Sequence, residues 1–96
     1  MLDPRRIRHK GLRLLFERGE ERRLNPQWVP RIKRILAALN IAGAPDEIDA
    51  PGYEFHELIG KRKGTYSVTV TRNWRLTFEW DSEGPFNVDL EDYHGR

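Results

Sequence analysis

Trp74-Arg75-Leu76-Thr77-Phe78-Glu79-Trp80 alternates a large apolar residue with a polar one along its whole length. Period-two alternation marks a half-buried β-strand, whose successive side chains leave on opposite faces. The flanking stretches can be phased in the same way: Tyr66, Val68 and Val70 fall together within residues 65–71, Phe86, Val88 and Leu90 within 86–90, and Tyr53 and Phe55 within 52–58. Loops carrying Gly60, Gly64, Asn73 and Gly84 separate these stretches, so a small antiparallel sheet is predicted. One sheet face would carry the apolar set. The other would carry His56, Ser67, Thr69, Arg75, Thr77 and Asn87, joined by Tyr93 if the last strand continues without a bulge. That second face is predicted to be polar and exposed.

Upstream of the sheet the period changes. Leu12, Leu15 and Phe16 recur at helical spacing within Lys10 to Arg18, and Gly19 supplies a stop. Trp28, Ile32, Ile35, Leu36 and Leu39 share one face of a second helix, with Arg31, Lys33 and Arg34 around the other sides. Asn25-Pro26 has the form of an N-cap and first helical residue. Pro30 would break a backbone bond inside the second turn, so the regular helix is alternatively expected to start only there. Residues 5–8 read as a short opening strand, and the turn-rich segment 42–51 as a connection with room for one helical turn. The fold class expected is α+β, with two N-terminal helices packed on one face of the sheet. Without repeats, low-complexity tracts or a linker, residues 1–96 are expected to form a single domain.

Hydrophobic residues make up 38% of the chain, including three Trp, three Tyr and four Phe, which is enough for a packed core despite 33% charged residues. Cysteine is absent, which removes disulfides and thiolate metal sites and suits a reducing, cytoplasmic compartment. The start, MLDPRRIRHK, lacks the apolar run of a signal peptide, and no stretch approaches the roughly 18 apolar residues of a membrane span. Charge is unevenly distributed. Residues 1–36 hold 11 Lys/Arg against 4 Asp/Glu, whereas residues 37–96 hold 6 against 11, giving +7 and −5. A basic helical surface suits a polyanion such as nucleic acid. Solvated arginines on exposed helix faces explain the same numbers equally well.

His56, Arg75 and Tyr93 come from different strands and share the polar face by phase. Together they carry the side chains needed for metal-free phosphodiester cleavage. Attack by an RNA 2′-hydroxyl needs a base, positive charge on the developing phosphorane and an acid for the leaving 5′-oxygen. Histidine can move a proton near neutral pH, arginine can hold phosphate oxygens bidentately, and tyrosine can orient a hydroxyl or stack on a base. Taken singly, each is more often a surface residue; as a trio the two readings are evenly matched. His9, His56 and His94 are scattered without metal-ligand spacing, so no metal or cofactor is expected. Lys61, Arg62 and Lys63 between Gly60 and Gly64 form a basic hairpin tip, read either as an RNA-backbone grip or as a solvated turn.

The words Arg8-His9-Lys10-Gly11-Leu12, Asn73-Trp74-Arg75-Leu76-Thr77-Phe78 and Glu91-Asp92-Tyr93-His94, in that order, resemble the HigB toxins of the RelE/ParE superfamily, also called proteic killer proteins. Ile35-Leu36-Ala37-Ala38-Leu39-Asn40, Ala50-Pro51-Gly52 and Lys63-Gly64 before Tyr66-Ser67-Val68 extend the similarity over nearly the whole chain. The resemblance implies a RelE-like fold and a toxin that cleaves messenger RNA in the ribosomal decoding site. It also implies inhibition by a HigA-like helix-turn-helix antitoxin. It assigns a site of His56, Arg75, Asp92, Tyr93 and His94: His56 for proton transfer, Arg75 for phosphate stabilisation, and Tyr93 with its neighbours for substrate positioning.

Two departures bear on function. Family members commonly carry Lys where His56-Glu57-Leu58-Ile59-Gly60 has Ile59, a position taken to lie in the active site. A binding-only toxin with weakened catalysis is therefore one alternative to a nuclease, and a ParE-like gyrase inhibitor is another, though it would leave His56, Arg75 and Tyr93 without a role. The start Met1-Leu2-Asp3-Pro4 is also longer than the usual one and puts the predicted opening strand in question.

Overall fold

The computed structural model describes residues 1–93. Helix α1 spans Lys10–Arg18 and α2 spans Val29–Ile41; strands β1 His56–Glu57, β2 Thr65–Thr69, β3 Trp74–Asp81 and β4 Gly84–Asp92 follow in order. The strands pair antiparallel with their sequence neighbours into one four-stranded sheet of order β1-β2-β3-β4. Short connections favour this meander, since antiparallel neighbours need only tight turns between them.

The two helices lay their apolar stripes on the sheet face predicted to be apolar. Leu12, Ile32, Ile35 and Leu39 are fully buried with Val68, Leu76, Phe78 and Val88 in one cluster. An aromatic run crosses that face: Phe55 stacks on Tyr66 at 5.7 Å and Tyr66 on Phe78 at 5.6 Å. Trp28, at the entry to α2, packs on Trp74 at 5.2 Å and fixes the helix over β3. Arg31 adds a polar tie from α2 to the sheet. Its guanidinium donates to the Thr69 carbonyl at 2.8 Å and the Gly52 carbonyl at 2.6 Å, and lies 4.9 Å from the Tyr53 ring centre.

Four expectations change. The opening strand is instead a 3₁₀ turn at Pro4–Arg6, capped by the Asp3 carboxylate, and extended pairing shrinks to one parallel bridge between Ile7 and Val88. Proline's fixed φ, directly after a capping carboxylate, favours the turn. Leu2 is nonetheless part of the core, its amide held by the Asn40 side chain on α2. The strand expected over 52–58 keeps only His56–Glu57, because Gly52 and Glu54 adopt positive φ values of 84° and 51° that break the extended chain. Helix α2 starts at Val29 with Pro30 in its first turn, within one residue of the alternative start at Pro30, and the Asn25–Pro26 cap is the reading that fails: Asn25 caps the preceding turn.

The fourth change concerns phase. β3 and β4 lose register between Thr77 and Glu79, opposite Asn87, whose φ of 50° marks a bulge. Glu79 pairs with Phe86, whereas Leu76 pairs with Leu90. Val88 and Leu90 therefore face the core as predicted, but Phe86 turns to the polar side, where the Arg6 guanidinium lies 5.0 Å from its ring centre. Pro85 takes its place inside.

Candidate functional site

The polar face of the sheet is less open than its composition suggests. Ser67 and Thr77 form a cross-strand pair and are 1% and 3% exposed, although no helix covers them. Arg62, Glu91 and Leu58 stand around them and, with Arg75, Asp92 and Tyr93, line a small cleft with an empty volume of about 270 Å³ including its mouth. The prediction of an exposed face thus fails at its middle row, where long neighbouring side chains shield short ones.

Arg75 is held rather than free. One of its guanidinium nitrogens donates to the carbonyls of Thr71 at 2.8 Å and Arg72 at 3.1 Å, in the turn that joins β2 to β3. Its carbon lies 4.6 Å from the centre of the Tyr93 ring, a cation–π contact. The Tyr93 amide donates to the Asn73 carbonyl in the same turn, which locks the end of β4 beside it. Asp92, opposite Trp74, borders the same cleft. It shares the helix-side phase of Trp74, so the turn, β3 and the end of β4 together place a cation and an aromatic ring at one mouth.

His56 lies on the same face but outside that cleft. It pairs with Ser67, which pairs with Thr77, so two strand spacings, roughly 10 Å, separate its backbone from β3. The imidazole is exposed, and its Nδ1 is 3.0 Å from the Glu54 carbonyl. A carbonyl can only accept, so this bond needs its proton on Nδ1; in the neutral imidazole Nε2 is then the acceptor.

The three cations of the hairpin tip separate. The segment Gly60–Arg62 is a 3₁₀ turn. Lys61 and Lys63 border a second, wider cleft that also includes Arg8, Glu79 and Asp89. Arg62 borders both clefts and pairs bidentately with Glu91, each guanidinium nitrogen 2.7 Å from a carboxylate oxygen. This hydrogen bonding holds the Arg62 pKa above its ordinary value. Thr77 donates its hydroxyl to the same carboxylate at 2.5 Å. Ile59, by contrast, is 91% exposed and does not line the cleft with Arg75.

Sequence reasoning assigned no part to Glu91, although it lies two positions from Tyr93 and pairs with Arg75 across β3 and β4. The same alternation that placed Tyr93 could have found it. His94 lies outside the described residues. Among the described residues, no group of three or more His, Cys, Asp or Glu is placed to hold a metal ion. No helix among them is long and apolar enough to cross a membrane.

Basic charge near the N-terminus is also partly spent on carboxylates from the sheet. Arg6 pairs with Asp81, and Arg8 approaches Asp89 at 3.9 Å. The excess of +7 over residues 1–36 therefore overstates the free positive surface.

Two helices over a four-stranded antiparallel meander, with a cleft of charged groups on the opposite face, define a RelE-like toxin fold. Comparison with known proteins makes this specific. Residues 5–94 match the family of the RelE-like toxin of type II toxin-antitoxin system HigB, and the chain belongs to that family. It is 40% identical over 88 residues to the Endoribonuclease HigB of Proteus vulgaris, covering 92% of this chain and 96% of that protein. It is 29% identical over 89 residues to Toxin HigB-1 of Vibrio cholerae, covering 91% and 94% respectively. Membership in a toxin–antitoxin family gives the protein an antitoxin as partner.

Proposed function

We propose that the protein is a ribosome-dependent endoribonuclease that cuts mRNA by attack of the substrate's own 2′-hydroxyl. The observation that carries this reading is that His56, its Nδ1 on the Glu54 carbonyl, shares a sheet face with an Arg75 guanidinium fixed by turn carbonyls against Tyr93. Likeness to the endoribonuclease of Proteus vulgaris supports it.

His56 Nε2 takes the proton from the 2′-hydroxyl, and the 2′-oxygen bonds to phosphorus. Arg75 carries the charge that gathers on the phosphate oxygens, where a fixed donor stabilises the transition state more than the ground state. The bond to the 5′-oxygen breaks, that oxygen takes a proton from water, and a 2′,3′-cyclic phosphate remains. Tyr93 stacks beside the phosphate on a base or ribose. Asp92 and His94, on either side of it in the chain, are assigned to the same site. Lys61 and Lys63 hold the backbone further along the strand through the wider cleft. The substrate is presented in the ribosomal decoding site in the cytoplasm, and the inhibitor is a HigA-like helix-turn-helix antitoxin.

A binding-only toxin is the second reading, favoured by the exposed Ile59 at the position where the family resemblance leads one to expect Lys. Primer extension on mRNA during in vitro translation separates the two. Wild type is expected to give discrete cuts, and His56→Ala and Arg75→Ala to lower the cutting rate by roughly 100-fold or more. A wild-type protein that co-sediments with ribosomes while the mRNA stays intact would establish the binding-only toxin.

A further inference from the structure

Two features of the cleft are unexplained by His56, Arg75 and Tyr93. The Ser67 hydroxyl is buried, borders the cleft, and has no hydrogen-bond partner among the described residues. A buried hydroxyl without a partner costs free energy, and on the floor of a cleft that cost is relieved when a water or a substrate group fills the cleft. The second feature is Arg62. It reaches the same cleft from the turn after β1, and Glu91 engages two of the guanidinium's five N–H donors.

We propose that Arg62 and Ser67 form, with Arg75, a phosphate subsite that grips one phosphodiester of a single-stranded RNA. Arg62 and Arg75 offer charged donors from the cleft lining, and Ser67 offers a neutral donor from its floor. Glu91 is a positioning residue: its bidentate pair aims the Arg62 fork, and the Thr77 hydroxyl in turn fixes Glu91. Position 59 cannot supply this cation, since it holds an isoleucine whose side chain points into solvent. Arg62 brings a cation to the cleft wall by a different route, from three residues further along. The inference rests on the nuclease reading for its choice of RNA, but its test does not require cleavage.

The test uses a 2′-O-methyl RNA oligonucleotide, which lacks the attacking hydroxyl, and measures binding by fluorescence anisotropy across a salt series. Arg62→Ala is expected to weaken binding roughly tenfold and to lower the slope of log affinity against log salt by about 0.7, the loss of one single-strand phosphate contact. Ser67→Ala is expected to weaken binding roughly threefold with the slope unchanged, because no charge is removed. Arg62→Lys, which keeps the charge, should hold the wild-type slope. Removing Arg62 also leaves Glu91 to repel RNA, so the double variant Arg62→Ala/Glu91→Gln is included. If the double variant stays weak and shallow in slope, Arg62 contacts phosphate. If it recovers wild-type binding, or if Arg62→Ala alone matches wild type, Arg62 merely neutralises Glu91 and the proposal is overturned. A wild-type chain that binds this RNA with the Arg62 dependence but leaves mRNA intact on the ribosome would defeat the nuclease reading while the subsite stood.

Discussion

The two faces of the sheet satisfy their residues by opposite means. On the helix side, Phe78, Leu76, Val68 and Val88 are fully buried and need only shape complementarity. On the other side the buried residues are Thr65, Ser67 and Thr77, and the groups around them are charged. There Arg75 depends on turn carbonyls, and Arg62 on Glu91. The hydroxyls of Ser67 and Thr69, without a hydrogen-bond partner among the described residues, both belong to this polar phase. The apolar face is built to be complete within the chain, whereas the polar face leaves donors that a substrate can finish.

This contrast predicts that substitutions on the first face act on folding and those on the second on RNA. The largest stability effect should follow Phe78→Ala, which removes a fully buried ring stacked on Tyr66 and in edge contact with Trp80. A loss of about 3–5 kcal/mol is expected in urea denaturation, enough to consume much of the stability of a domain this size. A loss below about 1 kcal/mol would mean that the aromatic run is loosely packed and the two faces differ less than described.

Arg31 tests the boundary between the two regimes, because it is a charged residue serving the helix side. Its two hydrogen bonds tie α2 to the carbonyls of Gly52 and Thr69, at the point where β1 has lost regular pairing. Arg31→Ala should cost about 2 kcal/mol, within the range for hydrogen bonds to charged groups. RNA affinity of the folded protein should be unchanged. Equal denaturation midpoints for variant and wild type, with weakened RNA binding, would move Arg31 into the substrate surface instead.

Much of this arrangement could be read in the sequence, and its failures have local causes. Trp74 to Trp80 announced a strand and its two faces, and the same alternation brought His56, Arg75 and Tyr93 to one side. Alternation counts residues and cannot see a bulge, so Asn87 reversed Phe86 without warning, since asparagine is tolerated at positive φ but does not require it. Glu54 shortened β1 in the same way. Nor does periodicity describe a 3₁₀ turn, and the direction of Arg62 depends on one at Gly60–Arg62. The hairpin tip therefore read as a uniform basic grip, while the fold divides it between a pair with Glu91 and two lysines at a wider cleft. The word His9-Lys10-Gly11-Leu12 carried the family resemblance, yet its visible part in the structure is local. His9 caps α1 by accepting the Leu12 amide at Nδ1, and a Cβ on Gly11 would lie 2.9 Å from the His9 ring.

That cap gives the smallest effect and a pH signature. Burial lowers the His9 pKa below its ordinary 6.5, opposed by the nearby Asp89 carboxylate. The unfolded chain therefore takes up a proton near pH 6.5, while the folded chain resists it until lower pH. The unfolded state binds more protons in that interval, so stability falls as pH drops through 6.5 and levels off below the folded pKa. Protonation would also turn the Nδ1 acceptor into a donor facing the Leu12 amide, which has no acceptor to offer. Asparagine caps helices well and does not titrate, so His9→Asn isolates the effect. Wild type and His9→Asn should differ in urea midpoint by a constant above pH 7.5, and wild type should lose more stability between pH 7 and pH 5.5. Parallel pH profiles would show that His9 is hydrated in the folded protein and that the cap is not buried as the structure has it.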